Sequence, residues 1–137
     1  MDLGLQNKRA LVTAASRGLG LAVAHALAAE GCNVAICARD EVGLTQAAAS
    51  IEAASGKRVA AIRADVADRA SVDALVAQAR EQLGGIDILV TNAGGPRAGR
   101  FLDLGPEDWE AAARLTLMST VNLCYAVIPV MREQRSG

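Results

Sequence analysis

The chain is 137 residues long and 52% hydrophobic, with a formal net charge of −1. That length allows one domain with a real core, so residues 1–137 are read as a single unit. The near-neutral charge removes the electrostatic case for nucleic acid or an anionic membrane as partner. The three aromatics, Phe101, Trp109 and Tyr125, are too few for a single-strand stacking platform.

Elements follow in regular alternation. Arg9–Ala14 is an apolar run that predicts strand one. It leads through Thr13-Ala14-Ala15-Ser16-Arg17-Gly18-Leu19-Gly20 into the amphipathic stretch Gly18–Glu30. Leu19, Val23 and Leu27 mark that helix's apolar face, and Gly31 is its stop. A strand that turns through small residues into a helix start is a phosphate-binding arrangement. Bare N–H groups and the partial positive charge of the helix N-terminus face an anion there. Gly18 and Gly20 lack the Cβ atoms that would hold a pyrophosphate off that backbone.

Asn33–Ala38 predicts strand two. Glu41–Ala54 follows as a helix with Leu44, Ala48 and Ile51 inward, Asp40 as N-cap and Gly56 beyond its end. Arg58–Arg63 predicts strand three. Ser71–Leu83 then carries Val72, Leu75, Val76, Ala79 and Leu83 at helical spacing, with Asp68 placed to cap it and Gly84-Gly85 beyond. Ile86–Thr91 predicts strand four. The βαβαβαβ order implies right-handed crossovers and a Rossmann-like, doubly wound parallel α/β sheet in the order 3-2-1-4. The loop Gly94–Gly105 leads into a helix at Pro106–Ala113, continued by Leu115–Arg132. The second part is apolar nearly all round, which predicts cover on several sides, and Pro129 predicts a kink. Cys32, Cys37 and Cys124, an odd number in apolar contexts, read as free thiols in a reducing compartment. With no charged-then-apolar leader and no unbroken 18-residue apolar run, the reading is cytoplasmic, with no membrane partner.

These residues resemble the short-chain dehydrogenase/reductase (SDR) family over its N-terminal half. The family loop Thr-Gly-x-x-x-Gly-x-Gly is matched by Thr13-Ala14-x-x-x-Gly18-x-Gly20. Its Asp-Val is matched by Asp65-Val66, and its Asn-Asn-Ala-Gly by Thr91-Asn92-Ala93-Gly94. Trp109 and the helix end Ile128-Pro129-Val130-Met131 fit the stretch that follows. The subgroup resembled most is the bacterial 3-oxoacyl carrier-protein reductase type. The resemblance implies an oxidoreductase that moves hydride between a nicotinamide and a carbonyl or alcohol carbon. It implies a cofactor lying against Thr13, Ala15, Ser16, Arg17, Gly18, Leu19 and Gly20, and against Arg39, Asp65, Val66, Asn92, Ala93 and Gly94. Asp65 would accept from the adenine amino group, Val66 would pack on the ring, and Asn92 to Gly94 would pass under the ribose. An NAD-preferring member carries an acidic residue where Ala38 stands here. Arg17 and Arg39 instead offer two guanidiniums to a 2′-phosphate, so the expected cofactor is NADP rather than NAD.

The sequence departs from the family pattern in three ways. Ala14 replaces a glycine, and if its turn needs a positive φ the side chain costs about 1 kcal/mol. Thr116 stands where the family carries a catalytic Asn. The catalytic Ser and Tyr-x-x-x-Lys have no counterpart: the only Tyr is Tyr125, followed four residues on by Pro129, and the only lysines are Lys8 and Lys57. The sequence therefore reads as a family domain truncated after the helix that follows strand four, inactive in this form. Two other readings remain open. One is a non-catalytic nucleotide-binding module. The other is a structural fragment that self-associates, or pairs with a complementary fragment, through Leu115–Arg132. Arg97 and Arg100 read as solvated loop residues and His25 as structural. The cysteines lack Cys-x-x-Cys spacing, so no metal is expected.

Overall fold

The computed structural model describes residues 1–137. The predicted apolar runs form β1 (Arg9–Val12), β2 (Asn33–Ala38), β3 (Ala60–Arg63) and β4 (Ile88–Val90), slightly shorter than expected. Between them lie α1 (Gly18–Ala29), α2 (Glu41–Ser55) and α3 (Arg69–Leu83); α4 (Pro106–Ala113) and α5 (Ser119–Gln134) follow β4. All strand pairs are parallel and the order is β3-β2-β1-β4, as the sequence reading expects.

Side-chain alternation divides the core in two. Ala10 and Val12 of β1, with Val34, Ile36 and Ala38 of β2, pack under α1 and α2. Leu11, Ala35, Cys37 and Ile62 face the other way, onto α3 and α5. This period-two division is what a strand buried on both faces requires. The helix ends follow their capping chemistry. Asp40 and Asp68 accept from the Gly43 and Ser71 N–H groups, each at 2.9 Å. Gly56 (φ +70°) and Gly84 (φ +78°) close α2 and α3 in the left-handed conformation.

Two helix faces differ from expectation. In α1 the buried stripe is Gly20, Ala24 and Ala28, whereas Leu19 is 82% exposed and Val23 also faces solvent. Small residues let this helix lie close to the sheet, so closeness of approach, not side-chain size, selects the inner face. In α5 only Ser119, Leu123, Val127 and Val130 are buried. They dock on α3 and the sheet, while Leu117, Met118, Tyr125 and Ile128 are exposed. The expected cover on several sides is therefore cover on one. Pro129 sits inside α5, which stays helical through it to Gln134. A π turn at Arg114–Met118 precedes α5. There the Thr116 and Ser119 hydroxyls donate back to the Ala112 and Leu115 carbonyls, a habit that bends helices. The run Pro106–Gln134 is long and apolar enough to cross a bilayer. It joins α4, the π turn and α5 into one helix and is not an unbroken apolar run, since Glu107, Asp108, Glu110, Arg114, Arg132 and Glu133 interrupt it.

Ala14 has φ +47°, so the turn does demand the left-handed region that a Cβ disfavours. Ala14→Gly is expected to raise stability by about 1 kcal/mol, read as a higher denaturant midpoint at unchanged m-value. An unchanged or lower midpoint would show that the strain is relieved elsewhere.

Candidate cofactor site

The site is built at the C-terminal edge of the sheet, where β1, β2, β3 and β4 each run out into a loop. Thr13, the first residue after β1, is fully buried. Its hydroxyl donates to the Asn92 carbonyl at 2.7 Å and accepts the Asn92 N–H at 2.8 Å. Asn92 in turn donates from Nδ2 to the Ala14 carbonyl at 3.1 Å. The Ala15 N–H donates to the Cys37 carbonyl at 2.9 Å. The loop after β1 is thus fastened to the ends of both β4 and β2. Gly20 is the point of closest contact: a Cβ there would lie 2.5 Å from the Ala14 carbonyl oxygen and 2.8 Å from Asn92 Nδ2. Loop packing by itself therefore requires glycine at this position. Gly18 has open space around it and φ +60°, so backbone conformation alone accounts for it.

Arg17 precedes α1 in extended backbone and makes no side-chain cap. The first helical bond runs from the Leu21 N–H to the Arg17 carbonyl at a long 3.4 Å. The Gly18, Leu19 and Gly20 N–H groups have no protein acceptor, and they carry the positive end of the helix dipole. Ser16 lies against the first turn of α2, its Cβ 3.6 Å from where a Gly43 Cβ would stand. Arg17 and Arg39 are exposed, and neither makes an ion pair. No carboxylate occupies the end of β2, where Ala38 is buried. These are donors and positive charges without acceptors, which fits a phosphorylated ligand.

The remaining predicted residues are more mixed. Asp65 accepts the Ala67 N–H through Oδ1 at 2.9 Å, and its own N–H donates to Ser71 Oγ at 2.9 Å. The Val66 side chain is only 6% exposed and sits in the core beneath α3 and α5. Only a small part of its surface remains open to solvent. Asn92 and Ala93 are half-buried, and Gly94 is exposed with nothing near its Cβ position. Thr116 lies exposed on the π turn with its hydroxyl bonded to the Ala112 carbonyl at 2.7 Å. Arg97 is held by Asp108 at 2.8 Å. Burial pushes the Cys37 thiol up to about 11, so it stays protonated and inert beneath the loop. A surface groove lies elsewhere, between α3 and α5, lined by Val76, Arg80, Ala126 and Val130.

Sequence reasoning missed Arg63. It closes β3 opposite Ala38, and its Nε donates to the Arg39 carbonyl at 3.1 Å. The signal was the outward parity of residues 61 and 63, two positions before Asp65.

A family model for short chain dehydrogenases matches residues 8–137. Oxidoreductase UcpA of Salmonella typhimurium is 40% identical over 134 residues, 97% of this chain and 50% of that protein. The 3-oxoacyl-acyl-carrier-protein reductase FabG of Escherichia coli is 36% identical over 98% of this chain and 54% of its own length. The crystal structure of L-sorbose reductase from Gluconobacter frateurii, complexed with NADPH and L-sorbose, superposes with a TM-score of 0.92. It has 37% identity, covering 98% of this chain and 51% of that one. A short chain dehydrogenase from Burkholderia cenocepacia in complex with NADP has a TM-score of 0.86 and 42% identity, over 92% and 51% of the two chains. The chain thus spans about half the length of the curated relatives it matches.

Proposed function

Because the chain belongs to the short chain dehydrogenase family, we propose that it carries the cofactor half-site of an NADP-dependent oxidoreductase acting on a carbonyl or alcohol carbon. The observation that carries this reading is the free N–H groups of Gly18, Leu19 and Gly20 beside the unpaired guanidiniums of Arg17 and Arg39. The N–H groups suit a pyrophosphate and the guanidiniums a 2′-phosphate. NADPH- and NADP-bound neighbours of the same fold support the cofactor.

A bound dinucleotide would supply the hydride chemistry; the residues here bind it and orient it. Thr13 and Asn92 hold the phosphate loop against β4. Asp65 offers its second carboxylate oxygen, which has no protein donor, to an adenine amino group. Gly94 leaves room for a ribose. Proton transfer is another matter. Tyr125 lies on the exposed face of α5 under the Arg69 guanidinium, 5.8 Å from its ring centroid. Lys57 is bound to the Gly31 carbonyl. Neither can form a Tyr–Lys acid pair with the other. Within these 137 residues no group is poised to protonate an alkoxide, so the isolated chain should bind without turning over.

Calorimetric titration of the purified 137-residue chain tests both parts. NADP should bind more tightly than NAD, and 2′,5′-ADP should bind nearly as well as NADP, because the adenosine end supplies most of the contacts. A thousandfold advantage of NADP over 2′,5′-ADP would sink the half-site reading, and dehydrogenase turnover free of host contaminants would sink the claim of inactivity. Light scattering on the same sample addresses a second reading. The exposed apolar face of Leu117, Met118, Tyr125 and Ile128 favours association through α5, with a second copy or a complementary fragment. A monodisperse monomer would remove it.

A further inference from the structure

Arg63 sits at the C-terminal end of the edge strand β3, in register with Ala38. Ile62 and Ala64 on either side point into the core, which leaves Arg63 on the solvent side. Its guanidinium is anchored at one atom: Nε donates to the Arg39 main-chain carbonyl. Both Nη groups lack an intramolecular acceptor. Arg17, Arg39 and Arg63 form no ion pair, as Arg58, Arg100, Arg114, Arg132 and Arg135 also do not, but only these three stand at the C-terminal ends of β1, β2 and β3. The two acids on the neighbouring loops, Asp40 and Asp65, pair with none of these three guanidiniums. Asp40 caps α2 through the Gly43 N–H, and Asp65 accepts from the Ala67 N–H. Guanidiniums without an ion-pair partner favour a dianionic ligand over a neutral one.

We propose that Arg63 is a specificity-determining residue for adenine nucleotides phosphorylated at the 2′ position. It holds the Arg39 main chain through Nε and adds a third positive charge to that corner of the site. The proposal rests on the NADP reading above and extends it to a residue outside both the loop and the end of β2.

The test is calorimetry with 2′,5′-ADP and 5′-AMP, each at low and high salt, on the parent chain, Arg63→Gln and Arg63→Lys. Arg63→Gln should weaken 2′,5′-ADP about tenfold, and 5′-AMP by no more than about twofold, at an unchanged melting temperature. It should also flatten the salt dependence of 2′,5′-ADP binding, because one screened charge is gone. Arg63→Lys keeps the charge and should restore most of that salt dependence. A lysine variant no better than the glutamine variant would overturn the charge contribution. If the parent prefers 2′,5′-ADP and Arg63→Gln keeps both the preference and its salt dependence, Arg63 has no such role and the NADP reading stands. If the parent does not distinguish the two nucleotides, the NADP reading fails and this inference fails with it.

Discussion

Gly20→Val is expected to destabilise the fold by about 3 kcal/mol, lowering the melting temperature by about 10 °C, and to abolish nucleotide binding. The new Cβ would stand 2.5 Å from the Ala14 carbonyl oxygen and 3.0 Å from the Ala15 Cα. Both are backbone atoms of a loop fastened to β2 and β4, so neither moves cheaply. Pushing Ala14 away also breaks its bond from Asn92 Nδ2 and tilts the first turn of α1, whose N–H groups form the proposed anion site. Gly18→Ala provides the contrast. Its Cβ meets open space, but its φ of +60° is unfavourable for alanine, so the expected cost is about 1 kcal/mol. Thermal melts and NADP titrations of both variants check the argument. Gly20→Val melting beside the parent, with binding intact, would mean that the close packing of α1 on the loop is not what holds the site.

The second large effect is acid sensitivity at the opposite edge of the sheet. Asp87 receives Arg9 Nε at 2.8 Å, Arg9 Nη2 at 2.8 Å and the Arg9 N–H at 2.9 Å. Arg9 Nη1 donates to the Gly84 carbonyl at 2.6 Å, tying the start of β1 to the turn before β4. The hydrogen bonds from the Arg9 side chain hold the Asp87 carboxyl down at about 2, against an ordinary 3.8. A carboxylate whose folded pKa is depressed contributes stability at pH above its unfolded value and loses it as pH falls through the folded one. The loss should therefore fall between about pH 4 and pH 2 and amount to about 2 kcal/mol. Asp87→Asn should lose a similar amount at neutral pH and show a flatter stability curve through that acid window. Parallel curves for parent and variant from pH 5 down to about pH 2.5 would mean that this pair does not govern acid stability.

The alternation of apolar runs with helical periodicity was enough to read four parallel strands in the order 3-2-1-4, because strands buried on both faces leave continuous apolar segments. The caps Asp40 and Asp68 and the closing glycines Gly56 and Gly84 were legible for a similar reason. Their chemistry is local, lying within three or four residues of the helix end they serve. The strand–loop–helix turn after β1 was legible, and so was the need for a positive φ at Ala14 as a condition of that turn.

Other features depend on distances between segments far apart in the chain. Periodicity identifies α1 as a helix, but its inner face was settled by how closely a Gly20–Ala24–Ala28 stripe can approach the sheet. The same periodicity could not say that α5 would be covered on one side only, since cover is supplied by other segments. The burial of Val66 among residues of α3 and α5 was likewise set by tertiary packing. Arg63 comes within reach of the Arg39 carbonyl only through the β2–β3 register, which sets it opposite Ala38. Local sequence thus determined which elements form, because backbone conformation, capping and alternation act over a few residues. Tertiary structure decided which face of each element is buried and which charges meet, because those depend on contacts that no local pattern encodes.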